Sequence, residues 1–322
     1  MLCPFALILA PPAAGKTTRI LEVIKSNSFC LFVSPLRALA DEVIERAIIN
    51  GINVIEKNDP IDTDRSNLIV LTPEQFPSFL PLRFERLNPL VIVDEVHLCV
   101  KWGKSFRPWL LDFFVDLFSV GNLVLGLSAT WDKECQLFMS DLQKYYLDSF
   151  LILFNEGNMK LKYHPRYKLI TPKMIFPLLV LLHQHFLSKK CLLIFCRYRS
   201  EVAQIQSLLE RLGLNSLGCL GGEVGKFREE LSDRTRLIVA TSVLSHGVNL
   251  PEIDMVIFTH KVEDKALQLQ MIARAGRRGK SYVAIELREF RAFLFDLFLM
   301  GSAHCKIRFR CLKQWVLKKF RE

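Results

Sequence analysis

The sequence lacks any apolar run long enough to cross a membrane. Its longest runs are Phe5–Ala10 and Phe176–Leu182, and Pro177 interrupts the second. A transmembrane helix needs about 18–20 apolar residues. No basic segment precedes the first run, so the pattern of a secretory signal peptide is also missing. These absences predict a cytoplasmic protein with no membrane partner.

Paired cysteines are missing as well. The chain has nine cysteines, an odd number, and no two form a CxxC pair. Zinc sites and disulfide frameworks need paired spacings. Cys30, Cys191 and Cys196 lie inside apolar runs, where a buried free thiol is expected. We therefore predict no zinc site, and the pattern suits a reducing cytoplasm.

The chain contains no internal repeat and no low-complexity segment. Half of its 322 residues are apolar and 24% are charged, which excludes a disordered chain and predicts two globular domains. Lysine and arginine exceed the acidic residues to give a net charge of +10. This excess favours a polyanionic partner such as nucleic acid, although many unrelated proteins are equally basic.

Short Val/Ile/Leu runs alternate with helical patterns along the chain. Continuous apolar runs of this length predict a parallel sheet that is covered on both faces. The alternation restarts after residue 190, so we predict two α/β domains, 1–154 and 155–290, and a basic helical tail, 291–322. The predicted strands and helices are Phe5–Leu9, Thr17–Lys25, Cys30–Val33, Ala38–Ile49, Leu68–Leu71, Leu90–Val93, Leu123–Leu127, Cys191–Phe195, Ser200–Leu212, Leu237–Ala240 and Met255–Phe258.

Residues 10–18, APPAAGKTT, connect the first predicted strand to the first helix. This is the context of a phosphate-binding loop, although Ala10 replaces the first glycine of the GxxxxGK[ST] pattern. Lys16 would reach the β- and γ-phosphates of ATP, and Thr17 would bind Mg²⁺. The alternative is an ordinary strand–turn–helix with an exposed lysine. The predicted nucleotide-binding residues of this loop are Ala13, Ala14, Gly15, Lys16, Thr17 and Thr18.

An acidic pair follows another predicted strand. Leu90–Val93 leads directly into Asp94 and Glu95. Asp94 is placed to hold Mg²⁺, and Glu95 to orient or deprotonate an attacking water. A surface turn is the alternative, but the phosphate loop on the same predicted sheet argues against it.

Together these strings resemble the superfamily 2 helicases of DExH type, and the resemblance covers almost the whole chain. It implies two tandem RecA-like domains with parallel sheets, ATP and Mg²⁺ as cofactors, and nucleic acid as the partner. The segments that resemble the remaining motifs, Ia, Ib, III, IV, V and VI, are Ser34–Glu42, Thr72–Glu74, Ser128–Thr130, Leu192–Ser200, Val239–Pro251 and Gln270–Gly279.

Within the superfamily, Trp102–Pro108 resembles the aromatic-rich loop of RecQ DNA helicases. The AAGKT, DEVH and GVNLP strings are instead similar to archaeal repair helicases and exosome-associated RNA helicases. The RecQ resemblance implies action on DNA with 3′ to 5′ polarity.

The resemblance also implies roles for residues of both domains. Arg274 and Arg277 would act as arginine fingers, and Gln270 would orient the water or the γ-phosphate. Gly247 and Asn249 would lie between the nucleotide and the bound nucleic-acid strand. The residues expected to couple Mg²⁺ and Glu95 to the rest of the protein are His97, Ser128 and Thr130.

Single-stranded nucleic acid is expected to lie across both domains. Trp102 and Phe106 are candidates for stacking on bases, with core packing as the alternative, whereas Trp131 is expected to be a packing residue. The expected phosphate contacts are Pro35, Arg37, Thr72, Arg107, Arg197 and Thr241. The seven basic residues of the tail predict either a further nucleic-acid contact or a solvated basic face.

The resulting hypothesis is an ATP-dependent helicase or translocase, with a protein partner as a possible source of processivity. One alternative is a nucleic-acid-stimulated ATPase that clamps or remodels a protein partner, and another is an RNA helicase. A non-catalytic binding module fits poorly, because every residue that hydrolysis needs is present.

Overall fold

The computed structural model describes residues 5–56, 59–79, 89–119, 123–145, 151–171, 190–211, 214–277 and 279–287. The chain divides into two compact units, residues 1–162 with 246–248 and residues 163–245 with 249–322. The basic tail predicted at 291–322 lies outside the described residues.

The first unit is built on a parallel sheet of seven strands. Its strands are β1 Phe5–Leu9, β2 Phe29–Val33, β3 Asn53–Val54, β4 Asn67–Leu71, β5 Leu90–Val93, β6 Val124–Ser128 and β7 Leu151–Asn155. Its helices are α1 Lys16–Lys25, α2 Arg37–Ile49, α3 Val96–Gly103, α4 Trp109–Ser119 and α5 Lys133–Tyr145, with a 3₁₀ helix at Pro73–Phe79. The strand order is β3-β4-β2-β5-β6-β1-β7, and the boundary predicted at 154 falls inside β7.

Helices cover both faces of this sheet. In β2, Leu31 and Val33 pack into the core on the side of α3, α4 and α5. Cys30 and Phe32 pack with α1 and α2 on the other side. Because successive side chains of a strand point to opposite faces, both sets must be apolar, which confirms the expectation drawn from the continuous apolar runs.

The second unit has a six-stranded parallel sheet in the order β10-β11-β9-β12-β13-β8. Its strands are β8 Tyr167–Thr171, β9 Cys191–Phe195, β10 Leu217–Cys219, β11 Leu237–Ala240, β12 Ile253–Phe258 and β13 Val283–Leu287. Its helices are α6 Arg199–Arg211, α7 Val224–Glu230 and α8 Lys265–Ile272, with a 3₁₀ helix at Ser242–Ser245. The prediction of two α/β domains with parallel sheets is confirmed.

The described cysteines are all buried free thiols. Burial raises the pKa of Cys30 to about 12, and it also raises the pKa values of Cys191 and Cys196. The expectation of buried thiols at these three positions is confirmed. Among the helices that the structure describes, none combines the length and apolar character that a bilayer crossing requires.

One glycine of the second unit adopts a conformation that other residues avoid. Gly276 has φ 63°, and a Cβ atom there would overlap the ring of the buried Tyr282. We expect Gly276→Ala to lower the free energy of unfolding by more than about 1 kcal/mol. Denaturant unfolding measures this.

The matched control is Gly225→Ala, which lies in α7 with no atom within 4 Å of an added Cβ. Alanine favours a helix over glycine by up to about 1 kcal/mol, so this variant should be at least as stable as the parent. Equal stability of the two variants would contradict the steric argument.

Candidate active site

The predicted site residues of the first unit follow strands that are neighbours in its sheet. Parallel neighbours bring their carboxyl ends to one edge, and backbone hydrogen bonds continue past the strand ends there. Ala10 N–H donates to the Ser128 carbonyl at 3.0 Å, and Asp94 N–H donates to the Val33 carbonyl at 2.9 Å. The phosphate loop, the acidic pair and the Ser128–Thr130 segment therefore lie along one edge.

The phosphate loop presents the amino end of α1. Gly15, with φ 88°, precedes this helix, and no side chain caps its first N–H groups. Open N–H groups at a helix start attract anions. Lys16 Nζ donates to the Ala10 carbonyl at 2.8 Å and to the Pro11 carbonyl at 3.4 Å. Ala13 has φ 63°, so a non-glycine residue takes the left-handed conformation in this loop.

The acidic pair is shielded from solvent. Asp94 is buried, and one of its carboxylate oxygens accepts a hydrogen bond from Glu95 N–H at 2.9 Å. Burial and the neighbouring charge of Glu95 raise the pKa of Asp94, and Lys16 opposes this rise. Glu95 has φ 45° immediately before α3. Such a backbone conformation is costly for a glutamate, and it occurs mainly where the surrounding structure fixes a functional residue.

A buried network connects Glu95 to the segment after β6. His97 Nδ1 lies 3.3 Å from Glu95 Oε2 and 3.0 Å from Ser128 Oγ. Ser128 Oγ donates to the Thr130 carbonyl at 2.9 Å and accepts from Thr130 N–H at 3.1 Å. The structure thus brings together the three residues that were predicted to act in coupling.

The charge state of Glu95 follows from the same contacts. Burial acts to raise the pKa of Glu95, but the close approach of His97 and the charge of Lys16 outweigh it and lower the pKa. The close approach of His97 and the charge of Lys16 thus favour the ionised form of Glu95.

The donor groups at this edge suit Mg²⁺. Thr17 supplies a hydroxyl and Asp94 a carboxylate, and Mg²⁺ prefers oxygen ligands together with substrate phosphates. Lys16 interacts with both acids electrostatically. The residues present thus fit a magnesium–nucleotide complex.

Arg107 connects the aromatic segment to Pro35, which was also predicted to contact nucleic acid, and to Glu74. Its guanidinium lies 5.3 Å from the ring of Trp102 and 4.9 Å from the ring of Trp109. It donates to the Pro35 carbonyl at 3.2 Å and forms an ion pair with Glu74. Arg107 was predicted to contact a phosphate, and in this structure its donors hold the three segments together.

The aromatic candidates differ in exposure. The side chain of Phe106 is 66% exposed, whereas Trp102 packs against the core and lies 5.4 Å from the Phe106 ring. Of the two residues predicted to stack on bases, Phe106 is therefore the more accessible. Trp131 is buried in the core, which confirms the expectation that it is a packing residue. Arg37 is exposed at the start of α2.

The other residues that were predicted to contact nucleic acid lie on loops of both units. The Thr72 hydroxyl donates to the side chain of Gln75 at 3.3 Å. In the second unit, Arg197 is exposed after β9, and Thr241 follows β11 with its N–H donating to the Cys219 carbonyl at 3.2 Å.

The two predicted arginine fingers have different surroundings. Arg274 is buried, and its Nε and Nη2 donate to the Ser245 carbonyl at 3.0 and 2.7 Å. Arg277 is exposed. Both line a cavity of about 620 Å³ in the second unit, together with Asn249. Gln270 is buried in α8, and Gly247 has φ 63°.

Sequence reasoning missed the segment that follows β7, residues 155–162, which we call the crossover segment. It contacts both the phosphate loop and the residues after β6. Its only local signal is the turn-forming run Asn-Glu-Gly-Asn at 155–158. The Arg107–Glu74 pair was missed as well, because its partners are 33 residues apart.

Two protein-family profiles match this chain. The profile for the DEAD/DEAH box helicase matches residues 5–138, and the profile for the helicase conserved C-terminal domain matches residues 175–279. The first range contains the phosphate loop and the acidic pair, and the second contains Val239–Pro251 and Gln270–Gly279.

Relatives of the chain include both DNA and RNA helicases. The ATP-dependent DNA helicase Q5 of Rattus norvegicus is 25% identical and aligns with 85% of this chain and 32% of its own length. The ATP-dependent rRNA helicase rrp3 of Neosartorya fischeri is 32% identical and aligns with 86% of this chain and 63% of its own length. The chain therefore spans about a third of the first relative and less than two thirds of the second.

The fold is similar to that of S. cerevisiae Dbp5 bound to RNA and ADP BeF3. The TM-score is 0.62 at 17% identity, over 93% of this chain and 83% of that one. This similarity supports the architecture of two RecA-like domains.

Proposed function

We propose that this chain, which carries a superfamily 2 helicase core, hydrolyses ATP with Mg²⁺ and uses the reaction to translocate along or unwind nucleic acid. The observation that supports this most directly is the placement of Lys16, Asp94 and Glu95 at one sheet edge, with Glu95 linked through His97 to Ser128. Hydrolysis needs Lys16, Asp94 and Glu95. If hydrolysis is to respond to a bound nucleic-acid strand, Glu95 must also be connected to the rest of the protein, and His97 and Ser128 provide such a connection.

Each residue has a chemical task in this proposal. Lys16 exchanges its two carbonyl partners for phosphate oxygens, and Thr17 and Asp94 hold the metal. Glu95 accepts a proton from the attacking water. Arg277 places positive charge on the phosphoryl group as it is transferred. When bound, Mg²⁺ neutralises charge on the phosphate oxygens.

We favour DNA as the strand and 3′ to 5′ as the direction. This choice rests on the resemblance of Trp102–Pro108 to the RecQ loop and on the DNA helicase Q5 relative. The similarity to the rRNA helicase rrp3 supports RNA as the second candidate. Backbone and hydroxyl donors near Pro35 and Thr72 would bind the phosphates of DNA or RNA, whatever the base sequence.

The deciding experiment compares ATP hydrolysis alone, with single-stranded DNA and with single-stranded RNA, at matched salt concentration. Stronger stimulation by DNA supports the proposal, and stronger stimulation by RNA selects the second candidate. Stimulation by neither strand would contradict a nucleic-acid motor and would favour an ATPase that acts on a protein partner. Duplexes with a 3′ or a 5′ single-stranded tail then test the direction.

Phe106→Ala should weaken strand binding without destabilising the fold. The side chain is 66% exposed, so little core packing is lost, whereas base stacking on an aromatic ring contributes about 1–3 kcal/mol. We expect the basal ATPase rate and the melting temperature to be unchanged. The nucleic-acid concentration that gives half-maximal stimulation should rise roughly 5–150-fold.

Leu137→Ala is the matched control, because Leu137 is an exposed apolar residue on α5 of the same unit, 55% accessible. It should change neither stability nor stimulation. If Phe106→Ala lowered the melting temperature and left the nucleic-acid requirement unchanged, Phe106 would be a packing residue.

A further inference from the structure

The crossover segment has a defined conformation immediately after β7. The side-chain oxygen of Asn155 accepts hydrogen bonds from Gly157 N–H at 3.1 Å and Asn158 N–H at 2.9 Å. Gly157 and Met159 have φ values of 144° and 56°. These bonds and left-handed positions form a tight turn that directs Asn158 towards the residues after β6.

Asn158 binds the main chain of Trp131 at two points. Its side-chain oxygen accepts from Trp131 N–H, and its side-chain nitrogen donates to the Trp131 carbonyl, both at 2.7 Å. Met159 N–H donates to the Ala129 carbonyl at 3.2 Å. The residues on both sides of Thr130 are therefore attached to the crossover segment.

The same segment is attached to the phosphate loop and α1. Glu156 N–H donates to the Leu9 carbonyl at 2.7 Å, and its carboxylate pairs with Arg19 at 3.0 Å. Lys162 Nζ lies 3.4 Å from the Ala13 carbonyl. The eight residues of the crossover segment thus contact both the phosphate loop and the Ser128–Thr130 segment, which in turn contacts His97.

We propose that Asn158 is a positioning residue for ATP hydrolysis, fixing the Ser128–Thr130 segment so that His97 and Glu95 are correctly placed. The inference rests on the proposed function and adds a residue that no helicase motif identified in the sequence contains. The second unit begins in the chain at Tyr163, five residues after Asn158.

The test compares Asn158→Asp and Asn158→Ala with the parent protein. Aspartate has the shape of asparagine but cannot donate to the Trp131 carbonyl, so it removes one of the two bonds with little change in volume. Steady-state ATPase is measured with and without single-stranded DNA and RNA, well below the melting temperature of each variant. Rates are corrected for the folded fraction.

We expect both variants to lower the strand-stimulated kcat by roughly 10–100-fold, the effect of misplacing a catalytic group by about 1 Å. The KM for ATP should stay within about twofold of the parent value, since the loop and Lys16 are untouched. A residue with only a structural role would change the melting temperature and leave the rate per folded molecule unaltered.

Glu156→Gln is the matched control. It removes an exposed ion pair of the same segment and leaves Asn158 in place, so its stimulated kcat should equal that of the parent. The positioning role would be overturned if Asn158→Asp kept the strand-stimulated kcat of the parent, or if Glu156→Gln lost as much of it as the Asn158 variants do. Either result would leave the proposed function standing. Absence of strand stimulation in the parent protein would instead overturn the proposed function, and this inference with it.

Discussion

Glu95→Gln should hydrolyse ATP roughly 10²–10⁴-fold more slowly than the parent protein, the usual contribution of a general base. Glutamine matches glutamate in size and can still orient a water molecule, but it cannot accept the proton. ATP affinity should stay close to normal, because Lys16, Thr17 and Asp94 remain in place. With ATP present, the variant should remain bound to a nucleic-acid strand.

The structure explains why this substitution should leave the fold intact. Glu95 has φ 45°, and its carbonyl accepts a hydrogen bond from Leu98 N–H at 2.7 Å as α3 begins. Glutamine meets the same backbone restriction as glutamate, so the cost of the left-handed conformation is unchanged. The loss should therefore appear in kcat rather than in stability.

Single-turnover hydrolysis and equilibrium ATP binding measure the two quantities separately. Glu22→Gln is the matched control, because Glu22 is an exposed glutamate on α1 in the same unit. It should behave as the parent does. A Glu95→Gln protein that hydrolyses ATP at the parental rate would exclude Glu95 as the base.

Arg277→Ala should lower kcat by roughly 10³-fold or more while ATP binds nearly normally, as expected when an arginine finger is removed. The side chain is exposed and lines the cavity of the second unit, so its removal should not lower the melting temperature. Lys226→Ala on α7, where the side chain is 75% exposed, controls for the loss of one positive charge in this unit.

The neighbouring Arg274 should give a different result. Its guanidinium is buried and donates twice to the Ser245 carbonyl. In Arg274→Ala that carbonyl loses these bonds, and a hydrogen bond to a charged group contributes about 1.5–3 kcal/mol. Arg274→Ala should therefore melt at a lower temperature, unlike Arg277→Ala. Equal melting temperatures together with equal losses of activity would mean that both arginines act directly on the phosphate.

The sequence was sufficient to predict the central strands of both sheets, because each of these strands is a short apolar run that is buried on both faces. The sequence was not sufficient to predict elements whose local patterns are weaker. The strand β3 has only two residues, β10 contains Gly218, and α3 begins directly at the acidic motif. Pairing with the neighbouring strands β4 and β11, rather than local preference, determines β3 and β10.

The same distinction applies to the site. Lys16, Thr17 and Asp94 could be predicted because phosphate and metal binding need fixed residue types at fixed spacings. Asn158 lies 27 residues from its partner Trp131, and no short pattern relates the two. The long-range contacts that place the catalytic groups became visible only with the fold.

Ala13 gives the phosphate loop an unusual energetic character. Its φ of 63° is a conformation that glycine adopts without strain, and a Cβ atom there costs roughly 1–2 kcal/mol. The loop therefore carries this conformational cost at a position that the GxxxxGK[ST] pattern leaves open to any residue. Any ligand that binds only this shape stabilises the folded chain, and the effect grows with the logarithm of the ligand concentration. The methyl group of Ala13 thus makes this loop conformation less favourable, and a bound nucleotide would favour it.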